Sequence, residues 1–387
     1  MSTPAVHKDP VLRIAKRDGL PHWKGWLIRV AAVVLALILS GAFIYAITRL
    51  NPVQVYEAMF EGAFGSSRRS WVTIRDAMML LCIGIGLAPA FKMKFWNIGA
   101  EGQILVGGCM TAGLMLALGG TVPTPVLLVI MAIASLCAGA VWGMIPAVFK
   151  ARWGTNETLF TLMMNYVAIQ ITSYCVALWE NPYGSNVVGV INQSTKDGWF
   201  PELFGQAYGL NVLIVAVLTV GMYIYLKSSK QGYEIAVVGE SQNTARYAGM
   251  NVGHVMMRTM FLSGAISGLV GFIVASGANN TLYDGVANGV GFTSITVAWL
   301  SQLNAFAMIV ISALLAILEK GAETLQTAMQ VPTSISDIVT GILLFCMLGC
   351  EFFINYRMIF RRKQAEAPAA PAAAESDQTE SKEDASC

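Results

Sequence analysis

The sequence predicts an all-α, polytopic membrane protein with about ten membrane segments, and three observations carry that reading. Only 12% of the 387 residues are charged and 55% are hydrophobic, whereas a soluble domain carries about 25% charge. Mean hydropathy is +0.59. Several apolar runs approach the ~20 residues a helix needs to cross hydrocarbon, a medium in which unpaired backbone groups leave the helix as the natural spanning form.

Residues 1–25 form a polar, basic segment with Lys8, Arg13, Lys16, Arg17 and Lys24. The apolar run from Trp26 to Ile47 is longer than a signal peptide core and lacks a small-residue cleavage site, so it reads as a retained first span. An amphipathic stretch over 51–70, with Arg68 and Arg69, leads into a span from Trp71 to Phe91. The sequence FKMKFWNIGAEGQ then sets polar and glycine residues ahead of a short, glycine-rich run from Ile104 to Gly119. Further spans are expected to end near Phe149, over Glu157–Trp179, over Leu210–Leu226 and over Met256–Ser276. A shorter apolar piece at 289–301 precedes runs at Ala305–Leu318 and Ile335–Asn355.

Counting through these spans puts the basic segments 1–25, 92–94, 150–152, 227–258 and 357–363 on one face, opposite the weakly charged loops 180–209 and 278–288. This is the positive-inside pattern, and it places both termini in the cytoplasm. Arg68 and Arg69 break it: either their segment hugs the surface or the count is off by one there. Residues 26–356 thus form the membrane domain, and 357–387, Ala/Pro-rich and then acidic, read as a disordered tail. Asp284, near the outer end of its loop, is expected to meet solvent or a docked partner.

The polar insert GYEIAVVGESQNTARYAGMNV (232–252), inside a charged element over 228–255, interrupts two apolar runs. It reads as a strand-like piece at Ile235–Val238, a turn at Gly239, and a helix over Ser241–Ala248. Ser241 is the N-cap of that helix, and Gly249 the left-handed stop. Its polarity suits contact with something outside the membrane, although an ordinary solvated loop fits the same residues.

Polar groups at membrane depth are costly and each raises a functional question. Asn97, Glu101 and Gln103 lie where Gly99 and Gly102 permit a broken or re-entrant helix. Glu157 and Asn165, eight residues apart, share one helix face. These five are the candidate substrate-pathway residues; the competing reading is interhelical hydrogen bonding that only holds the bundle together. Gly264-x-x-x-Gly268 and Gly139-x-x-x-Gly143 mark small-residue packing faces. The cysteines show no CxxC or Cys/His spacing, so no metal site is expected. The dipeptide Gly-Lys is absent, which excludes a P-loop, and neither HExxH nor GxSxG occurs.

The stretches Phe95–Gln103 (FWNIGAEGQ), Asn156-Glu157-Thr158 with Met163–Tyr166 (MMNY), and Gly239–Met250 (GESQNTARYAGM) together resemble the permease subunits of bacterial ABC importers for simple sugars and nucleosides, a group that includes branched-chain amino acid permeases. The resemblance covers roughly residues 70–355 and is nearest the longer permease of nucleoside-type importers. It implies a bacterial inner-membrane location and an ATPase subunit that binds ATP and magnesium, with no cofactor in this chain. It also implies a second, different permease subunit, an external solute-binding protein, a small-molecule solute, and no nucleic acid. It further implies that Gly239, Glu240, Asn243, Ala245, Arg246 and Gly249 belong to the element that couples to the ATPase. Alternatives are a branched-chain amino acid or other small-solute ABC permease, an ion-coupled secondary transporter, and a membrane scaffold without transport. Few buried carboxylates and no clear internal repeat weigh against the secondary transporter.

Overall fold

Polar caps punctuate an otherwise apolar chain into thirteen α-helices among the described residues of a computed structural model, which are 12–16, 21–203, 205–283, 285–330 and 332–360. In order these are α1 (His22–Thr48), α2 (Pro52–Phe64), α3 (Ser67–Lys92), α4 (Ala100–Leu118), α5 (Thr124–Trp153) and α6 (Glu157–Trp179). There follow α7 (Gly209–Ser228), α8 (Lys230–Glu240), α9 (Gln242–Tyr247), α10 (Val252–Phe272), α11 (Val290–Leu300), α12 (Ala305–Met329) and α13 (Thr333–Asn355). The side chains of Asn51, Ser66, Asn156, Ser229, Ser241, Asn251 and Asn304 each accept a hydrogen bond from a backbone N–H in the first turn that follows. Those N–H groups have no partner within the helix, which is why short polar side chains sit at these boundaries.

Among the described residues, eight helices are long and apolar enough to cross a membrane, and two shorter apolar stretches, Val290–Leu300 and Ile338–Cys350 within α13, join them. The all-α polytopic expectation holds. The most apolar window of α10 is 83% buried and that of α3 is 78% buried, against 28% for α1 and α6 and 22% for α7. So α3 and α10 form the centre, and α1, α6 and α7 leave apolar sides exposed.

Glycine makes the centre possible. A Cβ at Gly139 would collide with the Gly264 carbonyl, one at Gly107 with the Gly268 carbonyl, and one at Gly268 with the Ser135 carbonyl. The backbones of α4, α5 and α10 therefore approach as closely as small-residue faces allow, and Gly264-x-x-x-Gly268 performs the packing role expected of it.

Three expectations need correcting. Ile235–Val238 is helical, within α8, and Gly239 lies in the same helix rather than at a turn: Gly232, Ile235, Val238 and Gly239 are buried at helical spacing, so the apolar run supplies Ile235 and Val238 to one buried helix face. The run expected over Ala305–Leu318 continues to Met329 through Glu319, Lys320 and Glu323, because Lys320 finds carboxylate partners on α12 itself and on α3. The expected tail is not irregular from residue 357: Tyr356–Phe360 (β2) pairs antiparallel with Leu12–Lys16 (β1). The remainder of the tail, most of the basic N-terminal segment, and Asp284 lie outside the described residues.

Candidate functional site

Two helices start inside the bundle rather than at its edge. Asn97 bonds Ser263, Gly107 backs onto Gly268, and Ser276 meets Met115, so α4 runs parallel to the second half of α10 and begins level with its middle. The chain leaves α3 at Lys92 and passes through residues 93–99 to reach that point. Helix α11 also begins there, since the N–H groups of Gly289 and Gly291 point at Glu101 on the first turn of α4. A non-helical segment inside a membrane protein must have its backbone groups satisfied by protein or water.

The sequence-predicted amides do that work. Asn97 Oδ1 accepts from Gly99 N (3.0 Å) and from Gln103 Nε2 (3.2 Å), while Asn97 Nδ2 donates to Ser263 Oγ (3.2 Å). Asn165 reaches across from α6: its Oδ1 accepts from Gly102 N (2.9 Å) and its Nδ2 donates to Ile98 O (2.9 Å). Thr161 Oγ1 accepts from Ile98 N (3.2 Å). Asn97, Gln103 and Asn165 are buried and joined in one closed network around the helix break.

Glu101 stands beside this network with a different task. Its Oε1 accepts from Gly289 N (2.9 Å) and its Oε2 from Gly291 N (2.8 Å), so one carboxylate caps the start of α11. The positive end of the helix dipole and two charge-assisted hydrogen bonds offset part of the cost of burying that charge. Glu157 is not brought to this cluster. It sits in the first turn of α6, ion-paired with Lys150 Nζ at 2.8 Å.

Sequence reasoning missed a charged cavity of about 220 Å³ enclosed by α3, α10, α12 and the segment before α11. Arg75, Asp76, Glu319, Lys320 and Glu323 line it, with Asn279, Tyr283 and Asn288 above an apolar floor that includes Ile83 and Val274. Arg75 lies 2.7 Å from Asp76 and stacks over the Tyr208 ring at 5.1 Å. Lys320 bridges Asp76 at 3.5 Å and Glu323 at 2.7 Å. The available signal was Glu319-Lys320-x-x-Glu323 in an apolar setting, together with Arg75-Asp76 inside an expected span.

A third region is the surface of α8 and α9. Ser241 Oγ accepts from Thr244 N (3.3 Å), and Gly249 takes the left-handed conformation with φ +77°, so both predicted ends of α9 are in place. Gly239 and Ala245 are buried: a Cβ at Gly239 would strike the Lys92 carbonyl at the end of α3, and Ala245 packs with Met93, Phe95, Ile235 and Val238. Glu240, Asn243, Arg246 and Gly249 are exposed, and so is Tyr247, 93% open, which sequence reasoning did not single out. Arg258 on α10 holds Glu234 on α8 at 2.8 Å. The element is thus braced from within and polar without.

Residues 72–348 match the family described as branched-chain amino acid transport system / permease component. The glucose ABC transporter permease protein TsgB13 of Haloferax volcanii is 29% identical over 92% of this chain and 97% of its own length. The guanosine ABC transporter permease protein NupP of Bacillus subtilis is 32% identical over 86% of this chain and 95% of its own. The nucleoside ABC transporter permease protein NupB of Lactococcus lactis is 26% identical over 85% and 92%. No solved structure matches the chain.

Proposed function

The chain belongs to the branched-chain amino acid transport system permease component family, and on that footing we propose that it is the membrane permease of an ABC importer that carries nucleosides or simple sugars into a bacterial cytoplasm across the inner membrane. The relatives named for glucose, guanosine and nucleosides favour that solute class over branched-chain amino acids.

The observation that carries the coupling half of this reading is the construction of α8–α9. Exposed Glu240, Asn243, Arg246 and Tyr247 form a polar, aromatic surface fit to dock into a groove of a separate ATPase, the subunit that would hold ATP and magnesium. Behind that surface, Gly239 touches the end of α3, and Ile235, Val238 and Ala245 share one apolar cluster with Met93 and Phe95. A push on α8 is therefore delivered to the segment that leads directly into the Asn97 network at the start of α4. Closure of the ATPase pair would rock α3 and α4 against α10 and alternate the access of the pathway between them.

A binding protein would deliver solute on the opposite side, where loops 180–209 and 278–288 are the docking candidates, and a second permease subunit would complete the pathway. The amides Asn97, Gln103 and Asn165 then act as the fixed point around which the half-helices move, with Glu101 joining α4 to α11. Glu157 would belong to the loop-side end of α6 rather than to the pathway's interior.

The test is co-purification from native membranes, comparing the wild type with Arg246→Glu and with Tyr247→Ala, both exposed positions. An ATPase that accompanies the wild type and is lost from the variants supports the docking surface. An ATPase retained by both variants removes α8–α9 from that role.

A further inference from the structure

Between α3, α7 and the start of α12 lies a cavity of about 420 Å³ that shares no residue with the charged cavity or the amide network. All three helices are long and apolar enough to cross a membrane, and each brings a polar end to the cavity. Lys92 ends α3, Lys227 lies in the last turn of α7, and Asn304 caps the start of α12. One to two turns deeper the lining is apolar and buried: Ile85 and Ala88 on α3, Met222 on α7 and Met308 on α12. From Lys92 back to Ile85 is about 10 Å along the helix, at about 1.5 Å per residue. The cavity thus has a polar mouth at the end of three spans and an apolar depth running into them.

The mouth carries uncompensated positive charge. Among the described residues the lining holds no acidic side chain, and neither Lys92 nor Lys227 forms an ion pair. Arg75 and Lys320 differ, since Asp76 and Glu323 meet their charges. Lys92 Nζ donates to Leu226 O of α7 (3.4 Å), and Lys227 Nζ donates to the Tyr223 hydroxyl (3.0 Å). An ammonium has three N–H donors, so each lysine keeps two for a group outside the chain. A soluble anion would satisfy the lysines and leave the apolar depth unfilled. An apolar molecule would fill the depth and leave both charges unmet. A molecule with an anionic head and a hydrocarbon chain matches both halves, and the bilayer supplies it.

We propose that this cavity is a binding site for an anionic phospholipid, with the phosphate held between Lys92 and Lys227 and one acyl chain lying along Ala88, Met222 and Met308. The site goes beyond the transport reading and does not depend on it. The lipid ties α3 to α7, two of the helices that α8 packs against.

The test measures lipid binding by native mass spectrometry on the full-length chain, purified in mild detergent with whatever subunits accompany it. Dioleoyl phosphatidylglycerol and dioleoyl phosphatidylcholine, which differ only in the headgroup, are the probes, and glycerol phosphate is a head without chains. The wild type should hold phosphatidylglycerol in preference to phosphatidylcholine, and glycerol phosphate should not displace it. Lys92→Gln combined with Lys227→Gln should weaken phosphatidylglycerol binding about thirty-fold, the scale of two basic groups at an anionic membrane surface. Lys94→Gln combined with Lys230→Gln removes two exposed lysines outside the lining and should leave binding unchanged. Ala305→Trp obstructs the cavity from its wall with both lysines intact and should abolish binding. Equal binding of the two lipids overturns the proposal in favour of unselective apolar filling. Displacement by glycerol phosphate overturns it in favour of a soluble phosphate, and equal weakening in the Lys94 and Lys230 variant in favour of diffuse surface charge. Wild-type affinity in the Lys92 and Lys227 variant overturns it as well. If that variant fails to fold, Ala305→Trp decides: retained binding removes the lipid from this cavity.

Discussion

Replacing Glu101 by glutamine should destabilise the protein, through the start of α11, before it touches transport chemistry. The carboxylate accepts from Gly289 N at 2.9 Å and Gly291 N at 2.8 Å, whereas a glutamine amide has one acceptor oxygen and turns its NH₂ toward the other N–H. One charge-assisted hydrogen bond is lost, worth about 1.5–3 kcal/mol, and a buried donor is left facing a donor. The helix dipole also loses its counter-charge, about 0.3–2 kcal/mol more. Glu101 is only 7% exposed, so water offers little relief. Purified in detergent, Glu101→Gln should melt roughly 3–8 °C below the wild type. Glu101→Asp should melt lower too, because its carboxylate, one methylene shorter, cannot reach the two N–H groups. An unshifted melting temperature would refute the capping argument. If it came with a collapse of uptake, Glu101 would be a pathway residue, the role its position in the sequence first suggested.

Removing the Asn165 side chain (Asn165→Ala) should cost about 1–3 kcal/mol for each backbone group it orphans, Gly102 N–H and Ile98 C=O, and should be read as a lowered melting temperature. Gly268→Ala should be worse tolerated than an exposed glycine-to-alanine change, since its Cβ would strike the Ser135 carbonyl; overpacking of this kind costs about 1–3 kcal/mol and should appear as reduced yield and early melting. Gly239→Ala should separate from Arg246→Glu: the first perturbs the α8–α3 contact and lowers the melting temperature, while the second leaves melting unchanged and acts only on partner binding.

Much of the fold was legible because the bilayer simplifies the code. Glu157–Trp179 was read with its bounds as observed, since Asn156 caps its start and an apolar run fills it. Ser241 and Gly249 gave the ends of α9 for the same local reasons. Local signals failed where tertiary partners decide. Ile235–Val238 is too short to show a period, and its buried face is defined by Met93 and Phe95, far away in sequence. The charged end of α12 looked like the end of a span because Lys320's partner Asp76 lies on α3. Asn97, Gln103 and Asn165 stood out as polar residues at membrane depth, but the sequence could not show that Asn97 bonds Gln103 or that Asn165 bonds the backbone of the helix break. The cavity was missed for a related reason: its charged lining, Arg75-Asp76 on α3 and Glu319, Lys320 and Glu323 on α12, comes from elements that only the fold brings together.

The most direct test of the account is ATP-dependent uptake. Vesicles from cells expressing the chain with its ATPase and binding protein should accumulate tritiated guanosine or glucose when ATP is supplied, and should stop when ATP is removed even with the proton and sodium gradients maintained. Uptake that persists without ATP and follows an ion gradient would contradict the account and make the chain a secondary transporter.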